Sequence, residues 1–273
     1  MVEGFLSPKS DIVFKLLFGD ERSIELLTDF LKSVLRLPAD EYEEVTLIDP
    51  HLKREYDGDK LGILDVRVRT KAKKIIDIEI QLLPSPELRE RVVYYSAKMV
   101  TEQVGAGDDY SKVKRVISII ITDYPLIQDS TKYHHRFVLY DPETGIEFTD
   151  IIEVNTLELV KVPEVEDGTE LWNWLKFLSA QRKEDLDMIA ERSPQVKKAV
   201  VRLMELSNDE RTRLLYESRQ KMEWDNRARE RVAIKTREYE IARNALEKKM
   251  SIEDIIDITG LTRDEIEDLH MAN

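Results

Sequence analysis

The alternation of apolar and polar positions is most regular between Gly62 and Gln81, GILDVRVRTKAKKIIDIEIQ. Leu64, Val66 and Val68 alternate with Asp65, Arg67 and Arg69, and Ile76, Ile78 and Ile80 alternate with Asp77, Glu79 and Gln81. A period of two predicts a pair of strands, each with one oily and one charged face, and the basic stretch between them predicts a hairpin turn. With that turn centred on Ala72, Arg67 lies opposite Asp77 as an ordinary cross-strand ion pair and Asp65 lies opposite Glu79.

The rest of the chain is patterned around this hairpin. Ser10 is positioned to cap a helix over DIVFKLLF, Gly19 ends it, and a second helix follows from about Asp20 to Leu35 before Pro38. EVTLIDP predicts a short first strand, and HLKREYDGDK a polar turn in which His51 is a solvated loop histidine. After Gln81, Ser85 and Pro86 open a helix to Val104 that buries Leu88, Val92, Met99 and Val100. VKRVISIIITDY predicts a strand covered on both faces. RFVLYD predicts another, followed by a turn at DPETG and by FTDIIEVNTLELVKV, read as two strand pieces. A helix from near Gly168 carries Leu171, Trp172, Leu175 and Leu178, with its tryptophans in the core.

Beyond residue 180 the pattern is helical. Pro194 starts one helix, and Ser207 with Glu210 forms a capping box for another that runs to Lys249. The apolar positions of that long helix, Leu214, Leu215, Met222, Val232, Tyr239 and Leu246, are sparse, which predicts a partner-dependent or solvent-spanning element. MSIEDIIDITGLTRDEIEDL reads as two short helices capped by Ser251 and Thr262 around Gly260, a helix-turn-helix outline. Its second helix is acidic, so packing or self-association is expected of it rather than the reading of DNA. The expected organisation is a core over residues 1–165, a helical extension packing on it over 166–206, and the long helix with the terminal pair over 207–273.

Two carboxylates directly opposed across a strand pair, with Cβ atoms about 5 Å apart, repel each other. Either the hairpin is half exposed and water screens them, or a cation sits between Asp65 and Glu79; a hard divalent ion such as Mg²⁺ takes oxygen ligands of this kind. Asp11 and Lys15, four apart on one helix, can form an exposed ion pair, which is one of two readings of Asp11; the other follows from the resemblance given below. Lys60, just before the first strand of the hairpin, is either a phosphate contact or surface charge. Arg91, Tyr94 and Lys98 line one side of the helix after Gln81, a cation, aromatic, cation stripe that suits a nucleic-acid backbone or an ordinary solvated face.

Composition narrows these readings. The chain has 273 residues, 42% of them hydrophobic and 36% charged, with no cysteine. Disulfides and thiolate metal sites are excluded, and the composition fits a reducing cytoplasm. The first residues lack the pattern of a signal peptide, and no apolar run approaches the roughly 20 residues of a membrane span, so a cytoplasmic location without membrane contact is expected. A net charge of −13 requires any DNA site to be a local basic patch on an acidic body.

Asp65, thirteen intervening residues, Glu79, one residue and Gln81 resemble the D-x(n)-E-x-Q form of the PD-(D/E)XK nuclease signature. With DIVFKLLFGDE at 11–21, DK at 59–60, RVVYYSAKM, QVGAGDDYSKVKRVISIII and ITGLTRDEIEDL, the chain resembles the Rpn, or PD-(D/E)XK nuclease family transposase, group of recombination-promoting nucleases. The match covers most of the first 165 residues and returns at the C-terminus. The resemblance implies an α/β fold, a restriction-endonuclease-like mixed sheet flanked by helices, with an α-helical C-terminal extension. It implies a Mg²⁺-dependent endodeoxyribonuclease, with Mn²⁺ as a substitute ion, acting on DNA. Asp65 and Glu79 would hold the metal with the Ile80 carbonyl, Asp11 would add a carboxylate, and Gln81 would orient water from the position where the wider superfamily most often has Lys. A homo-oligomer formed through the C-terminal helices is the expected assembly. The alternative is a non-catalytic nucleic-acid or protein binding module that keeps the nuclease fold.

Overall fold

The segment Val116–Thr122, VISIIIT, is buried at every position. A strand without a polar face must be covered on both sides and paired on both edges, and this one is. In the computed structural model, which describes residues 4–52 and 65–271, it is β4, parallel on one edge to β3 (Ile75–Gln81) and on the other to β6 (Glu147–Glu158). β2 (Val66–Arg69) pairs antiparallel with β3, β1 (Thr46–Leu47) with β2, and β5 (His134–Tyr140) with β6. Among the described residues this gives one six-stranded mixed sheet in the order β1-β2-β3-β4-β6-β5.

The hairpin register is the one the alternation predicts: Val66 opposes Ile78, Arg67 opposes Asp77, Val68 opposes Ile76 and Arg69 opposes Ile75. The turn closes through Thr70 and Lys74, with Lys73 taking the left-handed conformation at φ 68°. Its predicted charged face, however, is not solvated. Arg67, Asp77 and Glu79 are all buried, because β3 lies inside the sheet and α3 (Leu88–Thr101) covers that face. Ser96 of α3 hydrogen-bonds Ser118 at 2.9 Å, and Leu88 and Val92 pack on Ile120; these two β4 residues neighbour Asp77 and Glu79 in register.

Ile76, Ile78 and Ile80 point away from α3. α1 (Asp11–Phe18) packs on β3, and α2 (Ile24–Val34), α4 (Glu170–Ser179) and α6 (Pro194–Asn208) pack with it. Their seam is aromatic: Phe14, Phe18, Phe30 and Trp174 are fully buried, with neighbouring ring centroids 4.8–5.8 Å apart. Trp172 is core as well, its indole N–H donating to the Pro163 carbonyl at 2.9 Å. α5 (Lys183–Arg192) joins α4 to α6.

Three local expectations are corrected. FTDIIEVNTLE forms one strand, β6, rather than two pieces: its first half pairs with β5 alone and is exposed to half-buried, its second half pairs with β4 as well and is mostly buried, and that change of surroundings breaks the apolar pattern. Ser85 and Pro86 form the turn before α3, whose N-cap is Glu87. Ser207 lies inside α6, where its hydroxyl accepts the Leu6 N–H and donates to the Leu203 carbonyl, so Asp209 caps α7 (Glu210–Glu247) through the Thr212 N–H at 2.8 Å.

The chain divides into two compact units, residues 1–213 and 214–273. In the second, Ala242 and Ala245 of α7 pack with Ile255, Leu261 and Ile266 of α8 (Ile252–Thr259) and α9 (Arg263–Met271) and the turn between them. The predicted caps form: Ser251 accepts from the Asp254 N–H, Thr262 and Glu265 bond reciprocally, and Gly260 supplies φ 71°. Leu214, Leu215, Met222, Trp224, Val232 and Ile234 of α7 are exposed. No helix among the described residues is long and apolar enough to cross a membrane.

Gly19 closes α1 against β2, and a Cβ there would stand 2.7 Å from the Lys15 carbonyl oxygen and 3.7 Å from Val66. Gly19→Ala is therefore expected to destabilise the protein by about 1–3 kcal/mol, read as a lower urea midpoint with an unchanged slope.

Candidate active site

Asp65 stands at the entrance of β2, one residue before Val66, so continuing the register sets it opposite Glu79 on the face covered by α3. Its Oδ2 accepts the Ile80 N–H at 3.0 Å, and its Oδ1 lies 3.0 Å from the Lys15 ammonium. Across the pair, Glu79 Oε2 lies 3.5 Å from the Arg91 guanidinium and accepts a long bond of 3.5 Å from the Gln81 amide. Two carboxylates from adjacent strands are thus each faced by a cation from a different helix.

Burial sets the electrostatics. The Glu79 carboxyl is pushed up to about 7, first by removal from water and then by the charge of Asp65, with Arg91 and Lys15 pulling the other way. Asp77, two residues back on the same face, is pushed well above the carboxylate range by burial, Glu79 and Asp65, with Arg67 opposing. Its Oδ1 has no hydrogen-bond partner. The expected Arg67–Asp77 ion pair is not what forms: the guanidinium turns to Glu102 at the end of α3, 2.8 Å away, where both side chains are 8% exposed. A helix packed on the hairpin offers Arg67 an ionised partner that the sequence of the hairpin could not reveal.

The other sequence candidates distribute as follows. Asp11 Oδ1 accepts the Ile12 N–H at 2.7 Å, and the expected Asp11–Lys15 pair gives way to Lys15–Asp65 because the last turn of α1 lies over β2. Arg91, expected on an open stripe, instead reaches Glu79. Tyr94 is 42% exposed but Lys98 is buried, so Arg91, Tyr94 and Lys98 do not form one continuous open surface. α3 is sunk against the sheet further round than its apolar positions suggested. Lys60 lies outside the described residues. Ile80 donates its N–H towards Asp65, and in a strand the carbonyl of the same residue faces the same edge. His51 is exposed and bonds Asp49, as a solvated loop histidine does. Lys15, Asp77 and the Arg67–Glu102 pair were missed; Asp77 carried a signal, since DIEIQ places it on the Glu79 face.

Among the described residues no three acidic or histidine side chains gather as a metal cage. The donor set here is smaller: a buried Glu79 carboxylate, the partly buried Asp65 carboxylate opposed to it, and a backbone carbonyl at the same edge. Those are hard oxygen donors, and they fit a small divalent ion that keeps several of its waters.

A family model described as PD-(D/E)XK nuclease family transposase matches residues 8–233. The chain belongs to this family. A second model, described as the Rpn/YhgA-like nuclease family C-terminal HTH domain, matches residues 235–271, the stretch holding the end of α7 with α8 and α9. No curated protein and no solved structure matches the chain. The sheet and its flanking helices are the restriction-endonuclease-like α/β fold of this transposase family, and the terminal segment is its HTH domain.

The raised Glu79 carboxyl has a thermodynamic consequence for the metal-free transposase-family protein. A group raised from 4.5 to about 7 contributes stability fully below about pH 4.5 and loses it as pH rises through 7. His134 is lowered by burial and acts in the opposite sense, so the useful quantity is a difference between proteins. Relative to wild type, Asp65→Asn is expected to gain stability between pH 5 and pH 8 in EDTA, as read by urea unfolding at each pH, because Glu79 then ionises without an opposed charge.

Proposed function

We propose that this PD-(D/E)XK transposase-family protein is a metal-dependent DNA endonuclease that hydrolyses phosphodiester bonds, and the observation that carries this is the opposed Asp65–Glu79 pair, in which burial and the Asp65 charge together raise the Glu79 carboxyl. Asp65, Glu79 and the Ile80 carbonyl would hold Mg²⁺, or Mn²⁺ in its place; Asp11 on α1 does not gather with them in the metal-free protein and would have to move in to add a further carboxylate. When bound, such an ion neutralises charge on the scissile phosphate and lowers the pKa of an attacking water. Gln81, whose amide contacts Glu79, orients that water; being neutral, it neither accepts the proton nor balances charge. Arg91 and the exposed ring of Tyr94 on α3 offer contacts to the DNA backbone beside the site, and Lys60 is a further candidate for that role, whereas Lys98, being buried, does not face a DNA strand. The exposed apolar residues of α7 support a homo-oligomer formed through the C-terminal helices. The absence of cysteine fits a cytoplasmic enzyme.

A second reading, a binding module without catalysis, is favoured by the net charge of −13 and by the neutral Gln81. Incubation with supercoiled plasmid, with and without Mg²⁺, separates the two. Under the nuclease reading, Asp65→Asn lowers the nicking rate by at least about 10²-fold with the fold and DNA binding retained, whereas Gln81→Lys keeps measurable activity. Wild-type protein that binds DNA yet cleaves nothing with Mg²⁺ or Mn²⁺ would establish the binding module instead. The assembly is tested separately by light scattering. The full chain is expected to show oligomeric mass that is lost when the chain ends at Arg213, and an unchanged mass per chain would remove the C-terminal helices from that role.

A further inference from the structure

The cations at this site differ from the other buried ion pair on the same face. Arg67 and Glu102 are each 8% exposed and locked together at 2.8 Å. Lys15 and Arg91 are 42% and 36% exposed, while the carboxylates they face, Asp65 and Glu79, are 14% and 7% exposed. Each cation therefore enters the site from solvent at its rim, one from α1 and one from α3. With one member of each pair in solvent and the Arg91–Glu79 separation a long 3.5 Å, these cations are held less firmly than Arg67. A divalent ion attracts the same carboxylates with twice the charge.

We propose that Lys15 and Arg91 are exchangeable counter-ions that neutralise Asp65 and Glu79 in the metal-free protein and turn to the phosphate oxygens of a bound DNA strand when a divalent ion takes the carboxylates. The proposal rests on the nuclease reading and adds the residues that hold the reacting phosphate. Charge balance makes the argument. A divalent ion cancels two ionised carboxylates, which leaves the positive charges of Lys15 and Arg91 uncompensated over a poorly hydrated floor. A phosphodiester attacked by hydroxide brings two negative charges to that spot. Gln81, the remaining polar side chain on Glu79, carries none to offset them. Guanidinium and ammonium also divide the task by shape, since the planar fork of Arg91 matches two phosphate oxygens and Lys15 acts as a point charge.

The two halves of the proposal move different measurements in opposite directions, which loss of structure would not do. In Mn²⁺ titrations of the full chain by calorimetry, without DNA, Lys15→Gln and Arg91→Gln should each bind the ion about 3–10-fold more tightly, because a competing cation is gone. With saturating Mn²⁺, the same variants should cleave plasmid at least about 10²-fold more slowly in single turnover, and Lys15→Arg should recover most of the rate. Unchanged Mn²⁺ affinity, or cleavage at the wild-type rate in both Gln variants, overturns the proposal while wild-type cleavage leaves the nuclease reading standing. Wild-type protein that binds Mn²⁺ and cleaves no DNA overturns the nuclease reading, and the phosphate contact falls with it.

Discussion

Asp65 and Glu79 meet across the β2–β3 pair beneath α3, where burial leaves little solvent to screen them, and much of the local structure is arranged around that repulsion. The cause lies in the neighbouring strand. β4 is apolar on both faces and holds β3 inside the sheet. The polar face of β3 therefore has to be roofed by a helix rather than by solvent. Under that roof every charge requires a partner: Arg67 finds Glu102, Lys15 approaches Asp65, and Arg91 approaches Glu79. Asp77 is left with an unpartnered oxygen and a strongly raised carboxyl. The site is the remainder of this arrangement that the protein alone does not balance.

Under the proposed nuclease reading, that remainder would also reconcile an acidic protein with a polyanionic substrate. At −13 the body as a whole repels DNA. What the site offers is local: two cations at the rim of a carboxylate pair, which the proposed exchange with a divalent ion would make available. The matched HTH segment does not supply a basic surface in compensation, since Glu265 bonds Lys235 and Glu253 bonds Arg263 within their own unit. On that reading, discrimination between metal-loaded and metal-free protein would be built into the same few residues to which the chemistry is assigned.

The hairpin was legible because its alternation is strict and its turn is short, so the register followed from counting. β4 was legible for the opposite reason, a run with no alternation at all. The burial of the charged face was not, since it depends on which strand pairs on the far edge of β3 and on where α3 lands, neither of which the hairpin encodes. Lys15 illustrates the same limit. Its helical spacing from Asp11 is a local fact, while its partnership with Asp65 depends on the packing of α1 across β2, tightened by the absence of a side chain at Gly19. Likewise Ser207 has the sequence of a cap, but its hydroxyl is already engaged with the N-terminal segment at Leu6.

The central claim is that Glu79 is held close to neutral in the metal-free protein by burial and by Asp65, and is released from that state by a divalent ion. Carboxyl ¹³C chemical shifts of glutamate-labelled protein, followed as a function of pH with and without Mg²⁺, measure it directly. The account predicts one glutamate titrating near 7 in EDTA, moved down towards the ordinary range by Asp65→Asn and remaining ionised well below 7 when Mg²⁺ is present. A Glu79 resonance that titrates near 4.5 in EDTA and ignores both the substitution and the ion would contradict it.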